Sequence, residues 1–466
     1  MAVVRRTVVE QAAAPRDHSA EPVAPALPTS LLLVLASLSA CITAQGGYYA
    51  GGQLITGVLL AAALLLALRA RPLSRQDLRL PPVLACAGLA GWAVVVTLLV
   101  GGNAIPIVAL LTAFCAVLLV CRRTSGADRE ALAVATLGIG VLVALSGWAG
   151  VAWRIDPLAL EDQELWRAAT TLTYANAAAG LLVPLVLLAL GRAIVRPPSR
   201  LDTAGLCVLL AGAGATLSRG GAVALVAGLA CLAAVCGLGR TARAVLAPTL
   251  GALVVLAALV PSMPIGAAPR PLLAVAGIVV GVALAVALAS APARARTVAL
   301  AAALGAGAVL VTVGPLDGAR RSVAGARLTV ASSDRQAETS AALRLVGDRP
   351  LTGTGPGRAT LFFADADGQP VAALYAHNEY LQVLTELGVV GLALTILLLG
   401  ALARTVGSAR ATAPSRDLWV GAAAGLVALG VHSAFDFLWH VPALPLAAAL
   451  LVGLTIPTSP TQKEHA

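Results

Sequence analysis

Apolar runs long enough to cross a membrane recur along nearly the whole chain, separated by short polar connections. A helix needs about 20 apolar residues to cross hydrocarbon. On that ruler about fourteen candidates centre near residues 38, 60, 92, 112, 141, 184, 211, 229, 251, 281, 305, 395, 425 and 448. The run ending at "GAGATLS" is short, so the expected number is about 12–14. Lipid offers no hydrogen-bond partners, and the runs are too continuous for the alternation of a barrel strand, so the spans are predicted to be helices. The predicted fold is an all-α polytopic membrane helix bundle.

The polar segments divide the chain. Residues 1–26 are Pro/Ala-rich and charged, and read as a disordered tail rather than a signal peptide. Spans 1–11 are expected within 27–314, a large, largely helical loop at 315–378, spans 12–14 within 379–456, and a short tail at 457–466. Inside the loop, "SSDRQAETSAALRLVGDRP" reads as a helix that Ser332 or Ser333 can cap, with Pro350 beyond its end. "TGTGPGR" reads as a glycine-rich turn.

Charge then orients the pattern. Arg69, Arg71, Arg75 and Arg79, then Arg122, Arg123 and Arg129, then Arg192, Arg196 and Arg200, and so on to Arg404, Arg410 and Arg416, fall in alternate connections. Short loops with clustered Arg stay inside the cell. Both termini are therefore expected in the cytoplasm and the large loop outside. The composition agrees: 59% hydrophobic, 12% charged and a mean hydropathy of +0.90 exclude a soluble protein. The net charge of +10 reads as topology-setting loops rather than nucleic-acid binding. The seven cysteines lie in or at the ends of apolar runs and imply neither disulfides nor a metal.

Four polar features fall on the expected outer face. In "TLSRGG", Arg219 either snorkels to headgroups or binds a ligand that the glycines let approach. The loop carries Arg320, Arg321, Arg327, Arg335, Arg344, Arg349 and Arg358. Asp334, Glu338 and Asp348 can neutralise several of them, whereas Arg358 has no near acid before Asp365. Guanidinium forks match phosphate oxygens, so a diphosphate at the membrane surface suits this cluster. His377 opens "HNEYLQVLTELGVVGLAL", where Asn378, Glu379 and Tyr380 lead into a turn of interfacial helix. An imidazole there can accept a proton near neutral pH. Finally His432, Asp436 and His440 recur every four residues on one helical stripe, a spacing open to a metal but better read as a polar patch at the outer end of the bundle.

These segments resemble the O-antigen ligase and polymerase superfamily. "AHNEYLQVLTELGVVGLAL" is similar to its His-Asn-x-Tyr-Leu segment and the membrane helix that follows. "TYANAAAGLLVPLVLLAL" with "TLSRGG", "RPLTGTGPGR" and "HSAFDFLWHVPAL" resemble further elements, over about residues 173–456. The resemblance implies a membrane glycosyltransferase that passes a glycan from undecaprenyl diphosphate to a glycan, lipid or protein acceptor outside the cytoplasmic membrane, with no metal or cofactor. By position, His377 would activate the acceptor hydroxyl and Arg219 would hold the donor diphosphate. Arg358, Arg344 or Arg335 would share that task. Glu379, Asn378, Tyr380, Asp436 and His432 would support the site. The ligase-like reading leads, with a polysaccharide polymerase of the same superfamily as the alternative. A secondary transporter, with broken helices at "SRGG" and "PSMPIGAAPRP", is a rival, though ionisable residues are nearly absent from the span centres.

Overall fold

The computed structural model describes residues 27–162, 164–292, 294–295, 298, 333–365 and 368–457. Both tails, the expected span near 305 and Arg320, Arg321 and Arg327 lie outside the described residues. The remaining expected spans all appear as helices. They are α1 (Thr29–Thr43), α2 (Ala50–Ala70), α4 (Pro81–Val100), α5 (Ile105–Cys121), α6 (Gly126–Trp153), α7 (Ala175–Val195) and α8 (Arg200–Ala215). The series continues with α9 (Arg219–Cys236), α10 (Leu238–Leu259), α11 (Pro271–Ser290), α13 (Glu379–Ser408), α14 (Arg416–His432) and α15 (Ala443–Thr455). A one-turn α3 (Arg75–Leu78) follows α2, and the loop helix is α12 (Ser333–Asp348). Among the described residues, eight helices are long and apolar enough to cross a membrane by length and composition. The fold is an all-α polytopic bundle.

Burial separates the centre from the rim. The apolar window of α7 is 72% buried, against 22% for those of α4 and α9. Its Ala- and Leu-rich sequence packs against α14, α8 and α9 on different faces, so it can be apolar all round. The poorly buried helices turn leucine and valine outward, as lipid-facing helices must.

The alternate connections gather at two ends. At one end Asp77 receives Arg122 and Arg123, each at 3.0 Å. Glu130 receives Arg192 and Arg196, and Arg196 also reaches Asp417. Ser74, Ser125 and Ser199 cap α3, α6 and α8 there, each paired with an aspartate three residues on. The opposite end collects the α1–α2, α4–α5, α6–α7, α8–α9, α10–α11 and α14–α15 connections with the large loop. "SRGG" opens α9 and "PSMPIGAAPRP" links α10 to α11, both at this end, and neither interrupts a helix.

Two antiparallel hairpins were not expected from the helical pattern. β1 (Ala159–Asp162) pairs with β2 (Leu165–Ala168) in the α6–α7 connection, and β3 (Leu361–Ala364) pairs with β4 (Pro370–Ala373) in the large loop. They stand where the chain leaves the apolar pattern and must satisfy its backbone locally. α13 is also two helices. Gly388, with φ 69° and ψ −172°, breaks it after a short first segment. The carbonyls freed by the break are taken up elsewhere. Thr354 and Gly355 N–H donate to the Thr385 and Glu386 carbonyls at 2.9 and 3.0 Å, and the Trp92 indole donates to Leu387 O at 2.9 Å. The glycine-rich turn is thus a cap on a broken membrane helix. A Cβ on Gly388 would lie 2.2 Å from Leu351 O.

Candidate functional site

His377 stands just before α13, where Asn378 caps the helix by accepting from Tyr380 N–H at 3.0 Å and Leu381 N–H at 3.1 Å. The cap fixes the chain direction and delivers His377 to α12. There Glu338, 4% exposed, meets His377 Nδ1 through Oε2 at 2.8 Å and accepts its backbone N–H through Oε1. Burial pushes the His377 pKa down. The hydrogen bond to Glu338 and the charges of Asp436 and Glu338 outweigh burial and hold it above the usual histidine value, while Arg335 opposes them. The sequence pattern gave Glu338 to the loop arginines; the fold gives it to His377.

Asp436 is fully buried. Its carboxylate accepts from the Tyr174 hydroxyl at 2.7 Å and from the Asn176 amide. Asn176 Oδ1 in turn accepts from Arg167 Nη2 at 3.2 Å, and Arg167 Nε donates to Thr216 O at 2.9 Å. One polar chain therefore runs from the turn that carries Arg219 to the carboxylate that acts on His377. Arg219 is the first residue of α9, half-buried, with Ser218 capping the helix through Gly221 N–H at 3.1 Å. Beside it, a Cβ on Gly220 would lie 2.8 Å from His432 Cδ2, which places His432 against the same turn.

The other expected residues separate. Of the three loop arginines, Arg335 lies one turn before Glu338 on α12 and acts on His377. Arg344 is exposed and reaches Phe362 O at 3.4 Å. Arg358 donates to Val100 O at 2.6 Å and so fastens the glycine-rich turn to the α4–α5 connection. Glu379 turns away from His377: its Oε2 accepts Trp439 N–H at 2.7 Å and its Oε1 meets His440 Nδ1 at 3.2 Å. Tyr380 donates to Gly430 O at 2.7 Å. Glu386 ends the first segment of α13, two residues before the break, and accepts from Gln382 at 2.8 Å. His432, Asp436 and His440 do not form one helical stripe. α14 stops at His432, and a turn and a short 3₁₀ segment send the three side chains to Gly220, to Tyr174 and to Glu379.

Sequence reasoning also missed an aromatic stack. Tyr174 lies on Phe437 with centroids 5.4 Å apart, and Phe437 lies on Tyr375 at 4.9 Å. The His377 ring meets Phe437 edge-on at 5.5 Å. The available signal was the aromatic count: the chain is 3% aromatic, yet Tyr375 stands two residues before His377.

This arrangement defines a polytopic membrane protein in which a buried carboxylate holds a half-buried imidazole at one end of the bundle, with Arg219 and Arg335 at the same end. Residues 204–396 match the family described as O-Antigen ligase. The match includes the Arg219 turn, α12, the glycine-rich turn and His377, and supports membership of the O-antigen ligase superfamily, whose members catalyse glycosyl transfer in membranes. Comparison with curated proteins finds no match.

Proposed function

We propose that the protein transfers a glycan from undecaprenyl diphosphate to an acceptor hydroxyl on the outer side of the cytoplasmic membrane, as an O-antigen ligase does. The observation that carries this reading is the His377–Glu338 pair at 2.8 Å, on the end of the bundle that also bears Arg219 and Arg335. With Nδ1 held by Glu338, Nε2 is left as the base. It takes the acceptor proton as the acceptor oxygen attacks the anomeric carbon. The carbon–oxygen bond to the diphosphate breaks, and its electron pair leaves with the phosphate. Arg219 and Arg335 stabilise that charge. In-line attack inverts the anomeric centre. Asp436 and Asn378 support the base by charge and by position. The alternation of arginines supports a cytoplasmic location for the opposite end of the bundle.

The test replaces His377 with Ala in cells and follows surface glycan alongside the lipid-linked donor. Surface glycan should vanish while the donor accumulates; unchanged transfer at normal protein level would rule out His377 as the base. The same strain separates the two family activities. Long chains stranded on the lipid indicate a ligase, and loss of long chains indicates a polymerase. Purified protein should also bind the lipid-linked donor more weakly after Arg219→Ala or Arg335→Ala. Equal binding would remove the arginines from the donor site.

A further inference from the structure

Two adjoining cavities beside the site have no part in the reaction as written above. The first, about 430 Å³, opens among α2, α5, the first segment of α13 and the α14–α15 connection. Tyr48, Tyr375, Glu379, Gln382, Glu386 and His440 form its polar wall, and its described lining contains no arginine or lysine. The second, about 490 Å³, is apolar and runs between α13 and α14 from Trp439 toward Trp419. Leu89, Leu110, Leu111 and Trp439 line both. A chamber with one polar wall, set against an apolar slot, has the shape of an amphiphile, with a headgroup at the end of the bundle and a chain directed along it.

The chemistry of the wall narrows the headgroup. The Tyr48 and Tyr375 hydroxyls are 3.3 Å apart. All five tyrosines of the chain, 48, 49, 174, 375 and 380, lie at this end of the bundle. Aromatic faces take the C–H faces of sugar rings, and carboxylates and amides take their hydroxyls. The Thr56 hydroxyl, 4% exposed on the same lining, is left without an oxygen or nitrogen partner among the described residues; its polar neighbour is the weakly bonding Cys41 thiol. Two carboxylates, Glu379 at 1% and Glu386 at 5% exposed, face the single imidazole of His440. A phosphate placed between them would meet uncompensated like charge in a poorly solvated site. The cavity also adjoins the base, because Tyr375 stacks on the ring that meets His377 edge-on.

We infer that these joined cavities are the acceptor site and that the acceptor is a lipid-anchored, hydroxyl-rich headgroup without phosphate, a neutral or amino sugar on one apolar chain. The name acceptor rests on the glycan-transfer reading; the binding site and its charge preference do not.

The test measures binding of radiolabelled dodecyl β-maltoside to the full-length protein held in amphipol, with dodecyl phosphate as competitor. The neutral probe should bind, and the phosphate should compete at least about tenfold less well. Tyr48→Ala, at an exposed position, should weaken the neutral probe roughly three- to tenfold. Leu110→Trp should block the chain slot, and Glu386→Gln should reduce the penalty against phosphate. His377→Ala should bind normally. Equal binding of the two probes overturns the headgroup class, and indifference to both Tyr48→Ala and Leu110→Trp overturns the site. Normal surface glycan in a Leu110→Trp strain that no longer binds the probe overturns the acceptor role alone. Normal transfer in His377→Ala would instead count against the glycan-transfer reading.

Discussion

At the scale of the residue, His377 was legible in the sequence and its partner was not. A histidine at the entry to a membrane helix is visible in a linear pattern. The carboxylate that tunes it lies 39 positions away on α12, and in the sequence Glu338 stands three residues from Arg335 and looks like its counter-ion. Because Glu338 holds the His377 pKa up, the free base should appear only as pH rises through that raised value. Glu338→Gln removes the hydrogen bond and one of the two raising charges, leaving Asp436 alone against burial and Arg335, so the rising limb of the rate–pH profile should move to lower pH. The plateau should fall about tenfold or more, since the ring loses its orientation. A profile that keeps its midpoint would show that Glu338 does not tune His377. The linkage to stability has a definite sign. A histidine that binds its proton more tightly when folded adds stability that is complete below about pH 6.5 and is lost as pH rises through the folded pKa. The thermal stability advantage of the native protein over Glu338→Gln should accordingly shrink toward alkaline pH.

At the scale of the element, the broken α13 is the device that joins loop to membrane. Periodicity foresees a helical turn followed by a span, and "TGTGPGR" foresees a turn. That the turn supplies the N–H groups for the carbonyls released at Gly388 follows only from their meeting in space. Gly388→Ala forces on a residue with a Cβ a positive-φ extended conformation that is essentially reserved to glycine, at a cost of about 1–3 kcal/mol, and adds a clash with Leu351 O. The loop should undock, because its donors and the helix carbonyls lose each other together. Limited proteolysis should then cut more readily between α12 and α13 than in the native protein, with transfer activity lost and membrane insertion retained. An unchanged cleavage pattern would show that the break does not hold the loop. The end of α14 teaches the complementary lesson. His432, Asp436 and His440 have helical spacing, but the helix stops at the first of them, so regular spacing led to a stripe that does not form.

At the scale of the whole molecule, the arginines that alternate along the sequence do collect at one end. There they meet Asp77, Glu130 and Asp417, while the tyrosines and His377 collect at the other. The orientation this implies can be read by labelling. The native cysteines are buried or half-buried. A membrane-impermeant maleimide should therefore label Asp348→Cys in intact cells, and Arg240→Cys only after the membrane is opened. The reverse pattern would invert the proposed topology and remove the loop from the outer face. What the sequence determined by itself was the class of solvent and the all-α polytopic bundle, because hydrocarbon demands long apolar helices, together with the alternation of Arg along the chain. Each of those constraints acts along the chain and needs no contact between distant residues. Only the tertiary structure decided the partners: Glu338 for His377, Asp436 for Tyr174, Glu379 for His440, and a glycine-rich turn for a broken helix. In a bundle whose core is nearly uniform Ala and Leu, polar side chains are few. Which of them meet depends on how the helices cross, and that is a property of packing rather than of local pattern.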